Sequence, residues 1–205
     1  MARVDDYIAA KKIAAEELSR RPPAEIARMA GFELSGESSF KVPFLDRVYR
    51  LDFPDFVFKD EAEADRVLPI QEEVLILHYM LPAKIRFPSG NWIAYREIPG
   101  ASFYFGAFVK RAIEPLTKAF GFNIAGLKKA ALLLNGKAVE PGDAAYEFYL
   151  FPKVPLRLTL WGGDDEFSPE ANILFDETIG EILSPEDAAW LAGMLVYRLM
   201  AISKK

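Results

Sequence analysis

Cysteine is absent from the 205 residues, and histidine occurs once, at His78. The first absence excludes disulfides, iron–sulfur ligation by this chain and thiolate nucleophiles. The second excludes Cys/His zinc patterns and multi-histidine metal centres. No apolar run reaches the roughly 18 residues that a membrane-spanning helix needs, so no membrane partner is expected. A basic stripe is missing too. Lys11-Lys12, Arg20-Arg21, Lys110-Arg111 and Lys128-Lys129 are isolated pairs, and 25 Lys and Arg against 30 Asp and Glu leave a formal charge of −5. Such a surface repels polyanions, so nucleic acid is not an expected partner. The start, Met1-Ala2-Arg3-Val4-Asp5-Asp6, carries acids where a secretory leader would carry an apolar stretch, which points to the cytoplasm.

What is present suffices for a globular core. Apolar residues make up 51% and charged residues 27%, and the length suits a single domain over 1–205. Helical spacing over 4–19 places Val4, Ile8, Ala15 and Leu18 on one side, expected to be buried. Pro22-Pro23 opens a short helix that Gly31 ends. From Phe40 to Phe58 the period shortens to that of antiparallel strands with edge prolines at Pro43 and Pro54. Helical spacing returns over 68–81 and stops at Pro82.

A short strand runs through Trp92, Ile93 and Tyr95. Ser102 is the expected N-cap of a helix to Phe120, which Pro115 should kink or divide. A helix over 124–134 follows, then strands over 146–150, 155–161 and 171–175. Ser184-Pro185-Glu186-Asp187 signals the start of a last helix, with Asp187 three residues after its serine cap. Strands and helices do not alternate one for one. The expected class is therefore α+β, antiparallel strands in two stretches packed with about five or six helices. Lys41-Val42-Pro43 and Lys153-Val154-Pro155 each lead strands and then a helix, an echo that raises an internal duplication.

The chemistry-bearing residues fall in three places. The aromatic-rich stretch Trp92–Arg111 offers Trp92, Arg96, Glu97, Phe103 and Tyr104 as candidate ligand-binding residues. Aromatic faces beside a guanidinium suit a flat anion, although aromatic clusters also fill cores. Alternation puts Trp92 and Arg96 on one strand face and Tyr95 and Glu97 on the other. Asp164, Asp165, Glu166 and Asp176 supply oxygens suited to Mg²⁺ or Ca²⁺, without calcium-loop spacing. The string Gly162-Gly163-Asp164-Asp165-Glu166-Phe167 resembles the diguanylate cyclase signature, which implies GTP and two metal ions. An extra acid shifts it, however, and the family's upstream elements are not found, so the string reads as a solvated turn instead. His78 has no Gly-x-Ser-x-Gly partner and reads as a structural helix residue.

Several strings together resemble one uncharacterised bacterial and archaeal domain-of-unknown-function family, number 3786. They are Leu75-Ile76-Leu77-His78-Tyr79-Met80-Leu81, Trp92 to Gly100, Phe151-Pro152-Lys153-Val154-Pro155 and Ala171-Asn172-Ile173-Leu174-Phe175-Asp176. The resemblance covers most of the chain beyond residue 40. It implies no assigned activity and no catalytic residues. Some members carry an iron–sulfur domain, which implies a setting in corrinoid or other cofactor metabolism. Lacking cysteine, this chain would leave any such cluster to a partner.

The expected function is a non-catalytic module that binds a small molecule or cofactor near Trp92, Arg96 and Tyr104. A metal-dependent enzyme built on the acids of 164–176 and a protein–protein module built on exposed aromatics are the alternatives. No cofactor and no oligomeric state are assigned.

Overall fold

The structure, a computed structural model, describes residues 4–204. Met1-Ala2-Arg3, part of the start read above, lie outside the described residues. The chain divides into two compact units. One takes the chain up to Phe87 together with Phe151–Lys153, and the other takes Pro88–Leu150 and the chain from Val154 onward. The fold is α+β, with antiparallel sheets formed by both strand-rich stretches. Among the described residues no helix is long and apolar enough to cross a membrane.

The first unit begins with α1 (Val4–Leu18) and α2 (Pro23–Ala30), closed by Gly31 at φ 77°. A four-stranded meander follows: β1 (Glu33–Ser35), β2 (Ser39–Phe44), β3 (Arg47–Asp52) and β4 (Val57–Asp60), in chain order across the sheet. Alternation works as expected here. Phe40, Val42, Phe44, Tyr49 and Leu51 are buried, with Phe40 opposite Leu51 and Val42 opposite Tyr49. Pro43 is tolerated inside β2 because β1 pairs only as far as Lys41, leaving the proline on an open edge. After β4 comes α3 (Ile70–Met80).

The buried face of α1 differs from the expected one. Val4 is 63% and Ile8 53% exposed, while Ala14 and Leu18 are buried and Tyr7 and Lys11 half-buried. Lys11 explains the rotation: its ammonium lies 2.9 Å from the Glu73 carboxylate on α3, which turns the 7-11-14-18 stripe inward. A salt bridge with a long aliphatic stem covers apolar surface that a periodicity count gives to Ile8.

Two side chains of this unit are tied to helix ends. The Tyr79 hydroxyl donates to the Ala30 carbonyl at 2.5 Å, and its ring stacks on Phe151 with centroids 4.1 Å apart. Burial pushes that hydroxyl's pKa well above its ordinary value. Lys153 is buried and its ammonium donates to the carbonyls of Met29 at 2.5 Å and Arg28 at 3.3 Å, the last turn of α2. Those carbonyls have no partner within the helix, so the lysine supplies donors and a charge of the right sign. Burial, with the Arg28 charge adding, holds its pKa below that of an ordinary lysine.

The second unit opens with β5 (Trp92–Ala94) and two 3-10 turns, Tyr95–Glu97 and Ala101–Phe103. A divided helix follows: α4 (Phe105–Phe108), a π-turn over Val109–Ile113 and α5 (Glu114–Phe120). Pro115 divides it as expected. Ser102 is not the N-cap expected of it, because it lies within a 3-10 turn and no side chain caps α4. Next come α6 (Ile124–Leu133), β6 (Lys137–Ala138), β7 (Ala144–Phe151), β8 (Val154–Trp161), β9 (Glu170–Asp176) and α7 (Pro185–Ser203). The sheet order is β5-β9-β8-β7-β6. Ser184 caps α7 by accepting the Asp187 N–H at 3.1 Å, and the Asp187 carboxylate accepts the serine hydroxyl at 2.7 Å. Each unit thus contains an antiparallel four-strand meander followed by a helix. The echoed tripeptides do not mark that repeat, since Lys41-Val42-Pro43 lies in the second strand of its meander and Val154-Pro155 opens the third strand of the other.

The apolar face of the second sheet buries Phe148, Leu150, Leu156, Leu158, Leu160, Ile173 and Phe175. On α7, Gly193 lies against the π-turn: a Cβ there would sit 3.1 Å from the Arg111 carbonyl oxygen and 3.3 Å from the Arg111 Cβ. Gly193→Val should therefore destabilise the protein by about 1–3 kcal/mol through overpacking. Gly106→Ala, where an added Cβ meets nothing within 4 Å, should stabilise it by about 0.5–1 kcal/mol. Urea midpoints check both, and a Gly193→Val protein that unfolds at the wild-type midpoint would refute the packing account.

Candidate functional site

The aromatic stretch is sorted differently from its sequence pattern. Alternation breaks at Ala94, because Tyr95–Glu97 wind into a 3-10 turn. Tyr95 consequently points into the core, stacked on Phe108 with centroids 4.2 Å apart and near Phe175. Its hydroxyl donates to the Pro185 carbonyl at 2.7 Å, and burial pushes its pKa up to about 12. Glu97 closes the turn by accepting the Ala94 N–H at 2.6 Å. The Arg96 guanidinium lies over the Phe105 ring, 3.7 Å from its centroid.

Trp92 does meet an arginine, but it is Arg157 of β8, 4.1 Å from the ring centroid and bonded to Glu147 at 3.0 Å. Phe103 is 92% exposed and Tyr104 half-buried. The five nominated residues are thus divided among a sheet face, a turn and a helix start. Arg157 could have been found from the period-2 pattern Leu156-Arg157-Leu158, which puts it on the polar face of its strand.

The acids are divided as well. Asp164 closes its own loop, accepting the N–H groups of Phe167 at 2.7 Å and Glu166 at 2.8 Å, and these bonds hold its pKa below the usual carboxylate range. Asp165 and Glu166 are exposed. Asp176 is buried at the end of β9. It accepts N–H groups from Ser89 (3.1 Å), Gly90 (2.8 Å) and Thr178 (3.0 Å), and the Thr178 hydroxyl at 2.7 Å. Among the described residues no group of three or more His, Asp or Glu is placed to hold a metal ion, so the expected four-acid cation site is not assembled. His78 is half-buried on α3.

The second unit instead offers a groove of about 670 Å³ along the π-turn, α5 and the end of α7. Lys110, Glu114 and Lys118 line one wall, and Tyr197 and Lys204 line the other. Pro115 and Ala119 add apolar surface, and Asn123 also lines the groove, its side chain capping α6 by accepting the Gly126 N–H. Residues 110, 114 and 118 share a wall because they recur at about one-turn intervals. The groove's lining includes none of the residues nominated from the sequence. Lys110 stood in the sequence as half of a scattered basic pair, and no local signal tied it to the C-terminal helix.

Asp176 allows a pH test. Desolvation raises its pKa, but the bonds from Thr178, Ser89 and Gly90 together outweigh it, and the pKa falls below the ordinary carboxylate value. The linked stability is therefore present above the unfolded-state value of about 3.9 and is lost as pH falls through the lower folded-state value. Asp176→Asn should cost about 1–3 kcal/mol near neutral pH, with the gap from wild type narrowing in acid. Urea midpoints near pH 7 and near pH 3 check this, and a gap independent of pH would remove the account.

No curated protein and no solved structure matches the chain. A family model described as a domain of unknown function, DUF3786, matches residues 22–198, most of the 205, and the chain therefore belongs to the DUF3786 family.

Proposed function

We propose that the protein is a non-catalytic module that binds a small molecule, and that the ligand lies in the groove between α5 with its π-turn and the end of α7. The groove itself carries the reading. At about 670 Å³ it has the volume typical of ligand sites, roughly 300–1,000 Å³. It combines an apolar floor of Pro115, Ala119 and Met200 with a few polar groups. The side chains of Lys110, Glu114, Lys118, Tyr197 and Lys204 make no hydrogen bond or ion pair with other described residues. Their polar ends are thus available to an incoming molecule.

The lining supports binding over chemistry. Its one serine, Ser203, donates to the Met200 carbonyl at 3.0 Å, and no histidine reaches the groove. The lining therefore lacks a serine–histidine pair for nucleophilic catalysis.

Native mass spectrometry of the protein purified from its own host tests this. Wild type should retain a small molecule, and Ala119→Trp, which fills the groove, should lose it while keeping the wild-type circular dichroism spectrum. An empty wild type, or a ligand that survives Ala119→Trp, would reject the reading. A retained protein in place of a ligand would favour the interaction-module alternative, to which the 92% exposure of Phe103 speaks.

A further inference from the structure

The groove's charge opposes that of the chain. The whole sequence carries −5, yet the lining holds Lys110, Lys118 and Lys204 against the single carboxylate of Glu114. Glu114 stands four residues from both Lys110 and Lys118, the spacing at which helix ion pairs close. Neither pair is formed among the described residues. Lys110 stands on the π-turn and Lys118 about two turns further along, on α5. Lys204 approaches from the opposite wall, at the end of α7. Between them lie Pro115, Ala119 and Met200, which have no polar side-chain group to satisfy. Positive charge at separated points around an apolar middle suits a ligand with the reverse pattern.

Resting on the groove reading above, we propose that the ligand is a small organic polyanion with an apolar body and anionic oxygens, carboxylate or phosphate, at separated ends. The apolar body lies on Pro115, Ala119 and Met200. The anionic ends are held by Lys110 and Lys118 on one wall and by Lys204 on the other.

A matched pair of probes separates this proposal from the reading beneath it: 2,6-naphthalenedicarboxylate and its neutral counterpart 2,6-naphthalenedimethanol, titrated by calorimetry. The dicarboxylate should bind about tenfold more tightly than the diol, the sum of a few partly screened ion contacts, and added salt should weaken only the dicarboxylate. The triple variant Lys110→Gln/Lys118→Gln/Lys204→Gln should remove that advantage, bringing the dicarboxylate's affinity to that of the diol. Ala119→Trp should abolish both.

Equal affinities in wild type, or a dicarboxylate affinity unmoved by the triple variant, would overturn the polyanion proposal. The groove reading would survive that result as long as Ala119→Trp still removed binding. If Ala119→Trp left both probes bound, the groove reading would fail as well. Failure of both probes to bind wild type would overturn the proposal, leaving the groove reading to the fate of the host-derived ligand.

Discussion

The missing N–H of Pro115 is the constraint on which the second unit's helical layer depends. In a regular helix residue 115 would donate to the carbonyl of Arg111, and proline cannot; its ring would also crowd that carbonyl. The chain answers by widening into the π-turn over Val109–Ile113, where the Glu114 N–H reaches back to the Val109 carbonyl. The Arg111 carbonyl is left facing α7, and the residue packed against it there is one whose Cβ, if present, would come within 3.1 Å of that oxygen. That residue is Gly193. Close by, the Arg111 guanidinium rests 4.2 Å from the centroid of the Trp190 ring. Contact is tight along this stretch, and the two helices line an open groove toward Tyr197 and Lys204. The groove is thus a product of how these helices pack.

Lys153, Asp60 and Asp176 are all buried, and each is surrounded by groups that need its charge. Lys153 serves the last carbonyls of α2. Asp60 faces Arg47 and accepts the N–H groups of Ala62 and Glu63. Asp176 gathers the N–H groups of Ser89, Gly90 and Thr178. For the two aspartates desolvation works against the ion and hydrogen bonds outweigh it, whereas for Lys153 burial prevails and its pKa stays low. Burial of an ionisable group in this protein is therefore a sign of loop and helix-end fastening, and the acids proposed from the sequence as a cation site include one such fastener.

Much of the fold was legible in the sequence. Gly31, Pro82, Pro115 and the Ser184 cap mark element ends through backbone chemistry that acts within a few residues, and each behaved as that chemistry demands. The antiparallel strands of both stretches were readable from their period. The buried side of α1 was not, because Lys11 finds its carboxylate on α3, sixty-two residues away. The aromatic stretch failed in a similar way. Alternation assumes a strand, and a 3-10 turn at Tyr95 reverses which side chains face the core.

By itself, then, the sequence determined the α+β class, the positions of most caps and breaks, and the exclusion of cysteine-based and multi-histidine chemistry. These depend on composition or on interactions spanning a few residues, so no knowledge of distant neighbours is needed. Tertiary structure alone decided that Arg157 rather than Arg96 covers Trp92, that Asp176 leaves Asp164 for the turn at Ser89, and that Lys110 and Lys118 share a groove with Lys204. Each of those joins residues dozens of positions apart, and the packing of whole sheets and helices sets which side chains meet.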